Sequence, residues 1–184
     1  MSISTEPRVR RRPALSPSRA ADYKQCPLLY RFRAIDRIPA PPSKAQLRGT
    51  LVHRVLENLF GLPAADRVTE RAVALIDQSW DEVKAEREFA GDVVAEHEVE
   101  KFLAEAQALV AGYYALEDPT RFEPESCEQS VETELADGVV LRGIVDRIDV
   151  APGGAVRVVD YKTGRAPREL AEAIGCTVEE IVAV

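Results

Sequence analysis

The chain of 184 residues has no apolar run approaching the ~20 residues that a membrane-spanning helix needs, so no membrane association is expected. Cysteine is scarce. Cys26, Cys127 and Cys176 are odd in number and widely separated, which excludes a disulfide framework and makes the cytoplasm the expected compartment. No apolar segment follows the basic stretch near the N-terminus, so no secretory leader is expected. No internal repeat or low-complexity segment occurs, which excludes a solenoid.

What is present is globular: 46% hydrophobic and 30% charged residues. A chain of this length buries roughly two-thirds of its unfolded surface, enough for one domain with tails. The net charge of −7 conceals an asymmetry. Residues 1–50 hold 11 Lys and Arg against 3 Asp and Glu; the remainder holds 13 against 28. A basic third on an acidic body suits an anionic partner, although a solvated basic tail gives the same count.

Residues 1–14, with Arg8, Arg10, Arg11 and Arg12, read as a disordered arm. Ser16-Pro17 is an N-cap followed by proline at the first helical position, predicting a short helix that stops near Pro27. Tyr30 and Phe32 alternate with Arg31 and Arg33, and Pro39, Pro41 and Pro42 stiffen the next connection. Ser43 and Gln46 form a capping box for a helix running to Phe60 and ended by Gly61 and Pro63. Gly49 inside it costs about 1 kcal/mol against alanine, which requires a close neighbour. Amphipathic patterns predict helices over about 66–88 and 93–117. Beyond Pro119 the period becomes two, predicting strands over 127–135, 139–150 and 155–163 with turns at Asp137-Gly138 and Pro152–Gly154. An antiparallel meander after helices gives a mixed α and β class. The tail 171–184 reads as weakly structured.

The last two strands carry the chemistry. With Ala151–Ala155 as the loop, Val150 faces Val156, and the same register sets Asp146 opposite Asp160. Opposed β-carbons lie about 5 Å apart. Two carboxylates there repel by roughly 3 kcal/mol at an effective dielectric near 20. Ile144, Ile148, Val156 and Val158 flank them, which sets the pair at the edge of a core. Such a pair needs a raised pKa, a salt bridge to Lys162, or a divalent cation of the Mg²⁺ or Mn²⁺ type. Asp160-Tyr161-Lys162 alone reads as a surface ion pair worth little. His53, one turn before Glu57, either pairs with that glutamate or is a further ligand to the same ion.

The segments GTLVHRVLE (49–57), GIVDRID (143–149) and VVDYKTG (158–164), in that order, resemble the RecB-like exonuclease branch of the PD-(D/E)XK nuclease superfamily. LSPSRAADYKQCPLLYRFR (15–33) resembles the same branch, so the likeness covers residues 15–170. The resemblance implies a restriction-endonuclease-like core: a mixed sheet flanked by helices. It implies that Asp146 and Asp160 are metal-binding carboxylates, that Lys162 is the catalytic lysine, that His53 lies near the metal, and that the Tyr161 carbonyl is a main-chain ligand. It implies Mg²⁺- or Mn²⁺-dependent DNA hydrolysis leaving a 5′-phosphate, in repair or processing, on single-stranded DNA or free ends, with a helicase as a possible partner.

Two features depart from that pattern. No Q-x-x-x-Y motif follows the Asp-Tyr-Lys strand, so the chain is expected to resemble the front of such a nuclease with its closing helix missing. Many relatives hold a 4Fe–4S cluster, but only Cys26 fits one of its four positions, so the cluster is not supported. A catalytically impaired nucleic-acid-binding domain of the same fold is therefore the alternative expectation, and a helical interaction module whose carboxylates are only surface charge is the third.

Overall fold

The computed structural model describes residues 14–86 and 90–164. Apart from Ala14, the expected arm lies outside them, as do Cys176 and the tail beyond Gly164. The fold is mixed α/β. Its sheet contains β1 (Ala14–Leu15), β2 (Ser126–Glu134), β3 (Val140–Val150) and β4 (Val156–Val159), in the order β1-β3-β2 with β4 also paired to β3. The chain divides into two compact units, Met1–Pro39 with Ser130–Ile144 and Ala40–Gln129 with Val145–Val184. Among the described residues no helix is long and apolar enough to cross a membrane.

In the first unit, Ser16 accepts a hydrogen bond from the Arg19 amide and Pro17 opens α1 (Pro17–Gln25). The proline expected to stop this helix also starts the next. Pro27 occupies the first position of α2 (Pro27–Tyr30), because its fixed φ suits a helix start as well as a stop. A wide turn, Arg31–Ile35, follows. The two-residue β1 pairs in parallel with Val140 and Leu141, an element the period-two pattern is too short to reveal. At the Asp137-Gly138 turn the Leu135 amide bonds the Val139 carbonyl (2.9 Å), and Gly138 takes φ +82°.

The second unit holds the apolar core. The Ser43–Gln46 capping box is formed as its sequence requires, and α3 (Lys44–Phe60) buries Leu47, Leu51, Val52, Val55, Leu56 and Leu59 completely. The helix expected over 66–88 is two: α4 (Thr69–Ala74) and α5 (Ile76–Glu86). The Leu75 amide bonds both the Arg71 and Ala72 carbonyls, a tightened turn that lets α4 meet α7 (Val99–Tyr113) while α5 lies on α3. Between them come the short α6 (Ala90–Val93) and a 3₁₀ turn, Glu96–Glu98, so the helix expected over 93–117 begins later and ends earlier. Trp80 and Phe102 fill the space where α5 and α7 face each other, with ring centroids 5.2 Å apart.

β3 and β4 pair in the expected antiparallel register: Val150 with Val156, Ile148 with Val158, Arg147 with Val159. Two expectations fail here. β4 ends at Val159 because the Tyr161 amide leaves the ladder and donates to the Asp146 carboxylate (2.6 Å). Much of the face expected at the core edge looks outward, with Ile144, Val156 and Val158 65%, 59% and 50% exposed, while Asp146 on that face is largely covered. The core takes Arg147, Val159 and Tyr161 instead. Apolar content failed to identify the inner face because the largest inward side chain is a cation with its own counter-charges.

Candidate functional site

His53, Asp146 and Glu128 converge in the second unit. His53 projects from the middle of α3, Asp146 from β3, and Glu128 from the first residues of β2. One ligand atom from each lies within 4.8 Å of those from the other two. That spacing suits a single cation with ligands at just over 2 Å.

Hydrogen bonding fixes the imidazole. His53 Nε2 lies 2.9 Å from the Tyr161 carbonyl oxygen, and a carbonyl only accepts, so Nε2 carries the proton. Nδ1 then faces the Asp146 carboxylate at 3.4 Å. A metal-ligating histidine characteristically donates its second ring N–H to a backbone carbonyl in this manner. The Tyr161 peptide therefore serves both partners, its carbonyl holding His53 and its amide holding Asp146.

Electrostatics sort the three groups. Burial opposes charge on His53, but hydrogen bonding and charge from Asp146, with the Tyr161 carbonyl and Glu128, outweigh it, so the pKa is raised. Burial likewise opposes the Asp146 charge, but His53, the Tyr161 amide and Lys162 keep its pKa low. Burial and the nearby charges of Asp146 and Glu57 push Glu128 up. Glu128 also has φ +49°, a left-handed conformation inside an otherwise extended strand. For an L-residue with a long side chain that is strained by about 1–2 kcal/mol.

The other expected residues lie beside this cluster. Asp160 forms an ion pair with Lys162, and both side chains are 45% exposed. The ladder stops at Arg147 and Val159, one pair short of the expected Asp146–Asp160 pair, and the Asp160 side chain is outside the group of three. Glu57 pairs with Arg54 at 3.3 Å rather than with His53. A groove lined by Gln46, Gly49, Thr50, His53, Lys162 and Thr163 leads along α3 to the cluster. Gly49 is where the neighbour comes closest: a β-carbon there would stand 2.9 Å from the Thr163 hydroxyl oxygen.

Sequence reasoning missed Glu128. It lies in CEQSVETEL, where glutamate recurs, and nothing in the spelling separates it from Glu132 or Glu134. The signal is conformational. Cys26 and Cys127 are free thiols, the first exposed. Phe32 is 41% exposed, and Tyr30 packs edge-on against Tyr23 with centroids 5.6 Å apart.

Residues 14–178 match the family model described as the PD-(D/E)XK nuclease superfamily. A protein of Mycobacterium phage D29, named Gene 69 protein, is 28% identical over 181 residues, covering 84% of this chain and 64% of its own length. The chain thus spans less than two thirds of that relative.

Proposed function

The chain belongs to the PD-(D/E)XK nuclease superfamily, and on that premise we propose that it is a divalent-metal-dependent deoxyribonuclease of the RecB-like exonuclease type, acting on single-stranded or free DNA ends in repair or processing. The observation that carries this reading is the convergence of His53, Asp146 and Glu128 beside the Asp160–Lys162 pair.

The donor set fits a divalent ion. Two carboxylates and one imidazole nitrogen match Mn²⁺ well and Mg²⁺ through the oxygens. His53 Nδ1, Asp146 and Glu128 would hold the ion, and Asp160, paired with Lys162 outside this group, is the further carboxylate that the family resemblance implies. A dication held there would lower the pKa of a bound water and offset charge on a phosphate.

The chain's own residues do the rest. Tyr161 keeps the His53 proton on Nε2, so Nδ1 presents a lone pair. Lys162 projects from the half-exposed edge of the groove, where its ammonium can meet a phosphate oxygen and stabilise charge that develops there. Thr50 and Thr163 line the same groove with small polar side chains that admit a backbone closely. Basic residues of the N-terminal third supply phosphate contacts that read no sequence.

The test is hydrolysis of end-labelled single-stranded DNA with Mn²⁺ or Mg²⁺. Cleavage should occur and should vanish in Asp160→Ala and Lys162→Ala. Metal binding without any product would instead support a non-cleaving nucleic-acid-binding role. That alternative is favoured by one observation, the engagement of Asp160 with Lys162 rather than with the cluster.

A further inference from the structure

Among the described residues, the most completely buried ion network lies directly behind the site. Arg147, next to Asp146 on β3, is 0% exposed. Its guanidinium donates to both oxygens of Asp149 (2.9 and 3.1 Å), to Glu117 (2.9 Å) and to the Tyr113 hydroxyl (3.2 Å). Phe60 and Phe122 lie against it, with ring centroids 4.9 and 4.8 Å from the guanidinium carbon. It also donates to the Tyr161 hydroxyl at 2.8 Å.

That bond joins two parts of the molecule with different tasks. The Tyr161 ring packs edge-on against Tyr113 (6.0 Å) and His53 (5.9 Å). Its backbone meets His53 through the carbonyl and Asp146 through the amide. β4 ends at Val159, so the Tyr161 peptide lies outside that strand. The phenol anchors the residue from the core side, opposite the two ligands its peptide holds.

We propose that the hydrogen bond from Arg147 to the Tyr161 hydroxyl is a positioning device for the metal site: it fixes the rotation of the Tyr161 peptide and thereby the directions in which His53 Nδ1 and Asp146 point. Arg147 and the Tyr161 phenol touch neither substrate nor ion. They act through the peptide that orients both ligands, as groups behind a metal site commonly do. The inference rests on the proposed metal site for its functional meaning, while the geometry stands apart from it.

Tyr161→Phe removes the hydroxyl and keeps the ring, and Arg147 retains Glu117, Asp149 and Tyr113. Mn²⁺ affinity, read from the spin resonance of the free ion, should weaken about tenfold. In metal-free protein labelled with ¹⁵N-histidine, the His53 Nε2 signal should lose the shift of a hydrogen-bonded donor. Val110→Ala, a fully buried site on α7, serves as the comparator. It should lower the melting temperature while leaving Mn²⁺ affinity and the His53 signal as in the parent. Parent-like affinity and an unchanged His53 signal in Tyr161→Phe overturn the proposal, as does equal weakening in Val110→Ala. If the parent binds no Mn²⁺, the metal reading fails, and the metal-free His53 signal alone decides the positioning role.

Discussion

Gly49 on α3 and Thr163 beyond β4 approach so closely that a β-carbon on the glycine would meet the threonine hydroxyl at 2.9 Å. Helix propensity alone favours alanine at position 49 by about 1 kcal/mol. The contact reverses that gain. Gly49→Ala should therefore destabilise the protein, whereas in a Thr163→Ala background it should stabilise it. A double-mutant cycle by urea denaturation reads the coupling, and additivity of the two changes would remove the contact from the account.

Glu128 is held in a strained conformation, and burial together with Asp146 and Glu57 raises its pKa. On balance its charge opposes the metal-free fold, with His53 and Arg54 offsetting part of the cost. Glu128→Gln should raise the melting temperature of metal-free protein and weaken Mn²⁺ binding by about tenfold, the scale of a lost coordinating or adjoining group. Opposite signs in the two measurements are the expected signature; a matched loss of both would assign Glu128 to structure.

Asp160 and Lys162 are each half exposed, so their ion pair contributes less than about 1 kcal/mol. Lys162→Met should leave the denaturation midpoint near that of the parent while abolishing cleavage. A large fall in stability would show that the pair is structural.

The Glu117 carboxylate faces Arg147, Arg157 and the Tyr113 hydroxyl. Burial opposes its charge, yet the Arg147 and Tyr113 hydrogen bonds keep its pKa below the ordinary value of 4.5. A depressed carboxylate stabilises the fold above its unfolded pKa and loses that contribution as pH falls through the folded one. Thermal stability should fall below about pH 4.5 for this reason. Glu117→Gln should cost roughly 3 kcal/mol at neutral pH, because it leaves a buried cation under-compensated, and should flatten the acid limb. A parent-like acid profile in that variant would place the pH dependence elsewhere.

The features legible in the sequence are those fixed by local chemistry. Ser16-Pro17, Ser43 with Gln46, and Asp137-Gly138 each satisfy or redirect backbone groups within a few residues, and each forms as its spelling requires. The β3–β4 register is similarly local, set by the loop after Val150. The face of that hairpin is not. It depends on what lies beneath, and Arg147 turns inward because Glu117, Asp149 and two tyrosines meet it there, partners up to 34 residues away in sequence. Glu128 was invisible for the same reason. Its place beside His53 and Asp146 follows from a backbone turn set by the folded chain.

The isolation of Arg147 has a consequence for ionic strength. Counter-ions screen exposed charges over about 10 Å at 0.1 M but scarcely reach a pair sealed behind aromatic rings. Lys44–Glu98 on the surface is open to them; Arg147 and its carboxylates are not. Added salt should therefore detach a polynucleotide from this protein long before it loosens the fold that holds the cleft.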